Sequence, residues 1–129
     1  MKVARLDHLV LTVESLSATV AFYTEVLGME RVEFAGGRTA LAFGNQKINL
    51  HEAGREFEPK SARPTPGSGD LCFVVEEPIS AVLAHVERLA IAVEEGPVER
   101  TGALGPIRSI YLRDPDMNLV EVATYDPSP

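Results

Sequence analysis

The chain has 129 residues, 45% of them hydrophobic, which suits one globular domain and argues against disorder. Its formal charge of −7 argues against nucleic acid as a partner, because phosphate binding needs clustered Lys and Arg. No apolar run approaches the roughly 18–20 residues that span a bilayer, and Cys72 is the only cysteine, so no internal disulfide or thiolate zinc cluster is expected. The opening MKVARLDHLVLTV lacks the apolar segment and cleavage site of a signal peptide, so the expected location is cytoplasmic.

Residues 6–13 (LDHLVLTV) read as a strand so apolar that both faces should be covered, Asp7 and His8 being the exceptions. A helix follows, capped by Glu14 or Ser15. Its inner face is Leu16, Val20, Tyr23 and Leu27, and Gly28 stops it. Three strands are expected next, at 30–35, 39–43 and 47–52, separated by turns at Gly36-Gly37 and Gly44-Asn45. Residues 53–69 hold three prolines, three glycines and several charges, and read as a long loop.

The pattern then restarts. Residues 70–75 form an apolar strand, and Pro78 opens a helix running to about Leu89, with Ile79, Val82, Leu83 and Val86 inward. A short strand is expected at 92–95, an irregular stretch at 99–105, and strands at 107–112 and 118–125 joined by the turn Asp114-Pro115-Asp116. The order strand, helix, three strands therefore occurs twice. The expected fold is α+β: two tandem βαβββ modules, at 4–53 and 69–125, joined by a loop at 54–68, with their sheets combined into one curved surface around a cleft.

This repeat resembles the glyoxalase/bleomycin-resistance/extradiol dioxygenase (vicinal oxygen chelate) superfamily. The likeness is carried by LDHLVLTV (6–13), FYTEVLGME (22–30) and YLRDPDMNLVEV (111–122), the last being the most specific. A closer likeness, to the glyoxalase domain-containing protein 5 group, extends through residues 40–60 and 96–116. The resemblance implies a small-molecule cleft, a divalent metal (zinc, nickel, manganese or iron(II)) held by first and last strands of the modules, and a homodimer.

Strand parity selects which side chains face that cleft. His8, Asn49, His51, Asp70, Cys72 and Glu121 share the face away from the helices. The expected metal ligands are His8, His51 and Glu121, two imidazoles and a carboxylate that leave open positions on the ion, with Asp70 as a further oxygen donor. Asn49 stands where the family usually has Glu, and Asp70 where it usually has His. Glu121 and Tyr111 are the candidate catalytic groups. Asn49, Ser109, Tyr111 and Arg100 are the candidate substrate contacts, Ser109 and Tyr111 because they match phosphonate-binding positions of fosfomycin-modifying relatives. Cys72 is expected to be a buried free cysteine.

The chemistry the resemblance implies is stabilisation of an oxyanion on a small oxygenated substrate, as in an isomerase, lyase or transferase. Lactoylglutathione lyase itself is disfavoured by Asn49, and a fosfomycin thiol transferase by Thr101, which stands where a lysine is expected. The alternatives are an extradiol-type iron(II) dioxygenase and a metal-free binding protein of the bleomycin-resistance type.

Overall fold

The computed structural model describes all residues, 1–129. The chain divides into two compact units, Met1–Gly67 and Ser68–Pro129. Each unit carries one helix and one four-stranded sheet.

In the first unit, β1 (His8–Val13) leads into α1 (Leu16–Glu25), followed by β2 (Glu30–Phe34), β3 (Arg38–Phe43) and β4 (Gln46–Glu52). The sheet order is β1-β4-β3-β2. β1 lies parallel to β4, and the other neighbours are antiparallel. Ser15 is the helix cap, its hydroxyl accepting from the Ala18 amide at 3.1 Å. That satisfies one of the amides a helix start leaves unpaired. Leu11, Val13, Leu41, Ile48 and Leu50 are buried on the helix side of the sheet. Across from them Tyr23 is fully buried, as expected. Thr19 and Val26 are buried beside it, while Leu16, Val20 and Leu27 reach only half burial.

The second unit repeats this plan. β5 (Asp70–Val75) leads into α2 (Ile79–Arg88), followed by β6 (Glu95–Gly102), β7 (Gly105–Arg113) and β8 (Leu119–Thr124), in the order β5-β8-β7-β6. Again the first strand pairs in parallel with the last. Ile79, Val82 and Val86 line the inner face of α2, against Ile110, Leu112, Val120 and Val122 of the sheet.

One element differs from expectation. The strand expected at 92–95 and the irregular stretch expected at 99–105 are replaced by a single strand, β6. It pairs with β7 from Glu95 to Gly102 with a register shift between Glu95 and Val98. An edge strand needs no continuous apolar face, so its charged and glycine-rich sequence hid it.

The Asp114–Asn118 turn, the most family-like stretch of the sequence, is structural. Buried Asp114 accepts from the amides of Asp116 and Asn118, both at 2.9 Å, and from Asn118 Nδ2 at 2.8 Å. Asn118 Oδ1 in turn accepts from the Gly69 amide at 2.7 Å, which ties the β7–β8 turn to the residue entering β5.

Candidate small-molecule site

Each sheet has one face packed on its helix and one free of it. On the helix-free face of the second unit the register places Cys72, Glu121 and Tyr111 side by side on β5, β8 and β7. Next along β7 lie Ser109 and Ile107, and across from them on β6 lie Val98 and Arg100.

Glu121 is the centre of this group. The hydroxyl of Ser109, fully buried, donates to Glu121 Oε2 at 2.5 Å. On its other side the Cys72 thiol is pushed up to about 11, first by burial of the sulfur, then by the charge of Glu121 and a hydrogen bond to it. The thiol is therefore protonated near neutrality and donates to the carboxylate. Cys72 is an exposed residue all the same, which corrects the expectation of a buried cysteine. Its parity put it on the helix-free face of β5, and no helix covers that face.

Ser109 was expected at the substrate. It lies instead beneath Glu121, with its hydroxyl committed to that carboxylate. Tyr111 is half-buried, and its hydroxyl accepts from Arg100 Nε at 3.0 Å. Arg100 is exposed, and its Nη2 also donates to Glu95 at 3.2 Å. A pocket of about 420 Å³ opens here, lined by Cys72, Val74, Arg100, Ile107, Glu121 and Tyr125 among others. That is toward the small end of ligand pockets. Asp70 lies exposed at the start of β5, on the face of Cys72.

In the first unit, His8, Val10 and Thr12 on β1 pair with Lys47, Asn49 and His51 on β4. His8 and His51 are thus four residues apart along paired strands, about 13 Å at strand rise. No group of three or more His, Cys, Asp or Glu side chains in the structure is arranged to hold a metal ion.

His8 alone has the setting of a ligand. It is exposed, and its Nδ1 bonds Asp7 Oδ2 at 2.7 Å, which leaves Nε2 outward. The same bond, first among the causes, holds the Asp7 carboxyl below its usual range. His51 is different. It is 7% exposed, and its ring packs edge-on against Phe57 at 5.5 Å. The Arg38 guanidinium lies over the Phe57 ring, 4.3 Å from its centroid. Burial, then the Arg38 charge, holds the His51 imidazole below its ordinary pKa. Asn49 is half-buried beside it, with its Oδ1 buried and without a hydrogen-bond partner.

Sequence reasoning missed Cys72 and Tyr125 as pocket residues. Parity placed Cys72 on the correct face. Tyr125, just past the end of β8, gave no such signal.

Two repeated βαβββ units, each with one helix-free sheet face, define the fold class. The chain belongs to the Glyoxalase/Bleomycin resistance protein/Dioxygenase superfamily, whose description matches residues 5–122. It is 57% identical over 125 residues to virulence protein STM3117 of Salmonella typhimurium, covering 97% of this chain and 87% of that protein. The crystal structure of STM3117 superposes with a TM-score of 0.95, covering 97% of this chain and 99% of that one. The glyoxalase domain-containing protein RDO1 of Mycosarcoma maydis is 55% identical over 125 residues, 97% of this chain and 70% of its own length. An integron cassette protein from the mobile metagenome of V. cholerae, VCH_CASS1, is 55% identical with a TM-score of 0.95, each chain covered to 98%.

Proposed function

We propose that this chain binds a small oxygenated molecule at the Glu121 pocket and acts on it by proton transfer with oxyanion stabilisation, as an isomerase, lyase or transferase. The observation that carries the reading is the Glu121 carboxylate, fixed by the buried Ser109 hydroxyl at the floor of a small pocket. A carboxylate held in one rotamer is a preorganised proton acceptor. Tyr111 is its register neighbour on β7. Because Arg100 Nε donates to the Tyr111 oxygen, the phenolic proton is free to point at a developing oxyanion. Arg100 polarises that phenol and stabilises the charge that collects on it.

The test is a ¹⁵N NMR titration with a panel of small hydroxy acids, hydroxyketones and catechols. Shifts are expected to cluster on Cys72, Arg100, Tyr111 and Glu121, and to vanish in Glu121→Gln. No member of the panel shifting these residues, or unchanged shifts in Glu121→Gln, refutes the reading.

A metal-dependent version is favoured by one specific observation, the Asp7–His8 bond. A carboxylate on one imidazole nitrogen is how proteins orient a histidine toward a metal. His8 is its donor; zinc, nickel, manganese and iron(II) all accept an imidazole, and iron(II) would bring dioxygenase chemistry. Metal content of protein purified without added metal decides it: His8→Ala must lower it. Equal metal content in the two proteins leaves the Glu121 pocket as a metal-free site, the behaviour of a binding protein. The reading includes a cytoplasmic location and a homodimer; the homodimer is supported by Val10 and Val74, 46% and 58% exposed on helix-free faces. Light scattering at micromolar concentration checks the dimer. No helix is long and apolar enough to cross a membrane.

A further inference from the structure

One wall of the Glu121 pocket does not come from the face of the sheet. It is the tip of the β6–β7 hairpin, Thr101, Gly102 and Ala103. The tip's own side chains do not anchor it: Thr101 and Ala103 are exposed, and Leu104 is 87% exposed. Its anchor is Tyr125, whose hydroxyl accepts from the Leu104 amide at 3.1 Å. The phenol reaches that amide by passing over Gly102. A β-carbon on Gly102 would overlap the Tyr125 hydroxyl and stand 3.0 Å from Ile107 Cγ2. Gly102 does not have the positive φ of the other tip glycine, Gly105. What the position requires is space for the phenol, not backbone freedom.

Tyr125 therefore lines the pocket and also holds the opposing wall in place. We propose that Tyr125 is the specificity-determining residue of the Cys72–Glu121 pocket: latched across Gly102 to the Leu104 amide, it fixes the hairpin tip and admits only compact ligands. Such a ligand lays an apolar body against Val74, Ala103 and Ile107, and its hydroxyl reaches Glu121. The inference rests on the reading of this pocket as the ligand site. Its test needs no known ligand, because Cys72 is the single cysteine and lines the same pocket.

The experiment compares alkylation of Cys72 in the full chain by N-methylmaleimide and by N-pyrenylmaleimide, followed by mass spectrometry at one fixed pH. Both reagents attack the same thiolate, so the ratio of their rates reports access and not ionisation. Tyr125→Ala is expected to speed the bulky reagent by about tenfold relative to the small one, one decade in rate. Tyr125→Phe keeps the ring but loses the latch, and should fall between. Gly102→Ala, which displaces the phenol, should follow Tyr125→Phe. A wild-type ratio in folded Tyr125→Ala overturns the proposal. If that variant does not fold, a wild-type ratio in Tyr125→Phe overturns it. Should the ratio change as expected while no panel molecule shifts Glu121, the wall stands and the ligand reading falls. The opposite pair of results keeps the ligand site and removes Tyr125 as its gate.

Discussion

Gly96→Ala should be among the most damaging single substitutions in the second unit. Gly96 lies in β6 where the register against β7 shifts, with φ at +108°. A β-carbon there would stand 2.5 Å from the Ser109 carbonyl oxygen, 3.0 Å from Ile110 Cα and 3.3 Å from Ile110 Cγ2. Two costs add. The backbone conformation costs an alanine about 1–3 kcal/mol. The two nearest atoms belong to the β7 backbone, which cannot rotate away, so the strand must shift at a further cost of about 1–3 kcal/mol. A loss of about 2–6 kcal/mol is a large part of the 5–15 kcal/mol typical of a domain. For a chain of this size it lowers Tm by roughly 6–25 °C. Gly37→Ala is the control. Gly37 also has positive φ, +94°, but a β-carbon there meets nothing within 4 Å. Only the backbone cost applies, and the expected loss is about 1–3 kcal/mol. Thermal and urea melts of both variants give the comparison. Equal losses would refute the argument, because contact with β7 would then contribute nothing. The disturbed carbonyl belongs to Ser109, so Gly96→Ala should also loosen the bond to Glu121.

Asp114→Ala removes the acceptor of three hydrogen bonds in a buried turn and should cost about 2–4 kcal/mol in a urea melt. Ser15→Ala removes the α1 cap and should cost about 1 kcal/mol in the same assay. The Cys72 thiol, pushed up from 9.0 to about 11, should react with iodoacetamide about a hundredfold more slowly at pH 8 than in urea-unfolded chain. A raised thiol pKa stabilises the fold below the unfolded value, and that stabilisation fades as pH rises through about 11. Glu121→Gln should bring the two rates closer, and an unchanged ratio would separate Glu121 from the thiol. His51 shifts the other way: its pKa is lowered by burial, so its contribution is present above about 6.5 and lost as pH falls. Acid melts of His51→Phe should show less loss below that pH than wild type does.

Periodicity alone made most of the fold legible. The first and last strands of each module are dense in Val, Ile and Leu, and both helices carry an apolar face, so the repeat stands out in the sequence. β6 was hidden because EGPVERTG, at a sheet edge, has no apolar face to display. In the candidate site, parity named the correct face for His8, Asn49, His51, Cys72 and Glu121, but parity fixes only a side of the sheet. Distance along the strand is a separate quantity, and it holds His8 and His51 apart. Depth is another. Ser109 and Tyr111 share a face, yet only Tyr111 retains access, because Ser109 lies under the Glu121 carboxylate.

The two modules give the same scaffold different contents, and the proposed chemistry rests on that difference. Pairing aligns Val10 with Asn49 in the first unit and Cys72 with Glu121 in the second. Asn49 and Glu121 are thus equivalent positions on the last strand of each module. In the second unit the neighbour on the third strand is Tyr111; in the first it is Ala40. The first unit therefore offers a neutral amide beside a small side chain. Two residues on, its histidine is packed against Phe57, and burial holds its pKa below the ordinary value. The second offers an acceptor fixed by Ser109, a thiol donor and a phenol backed by Arg100. A proton acceptor and an oxyanion donor are both needed for enolate-type chemistry, and within either unit only the second brings them to one face. Replacing Asn49 with Ala should therefore affect ligand binding far less than replacing Glu121 with Gln. If the order came out reversed in the NMR titration, the working face would belong to the first unit.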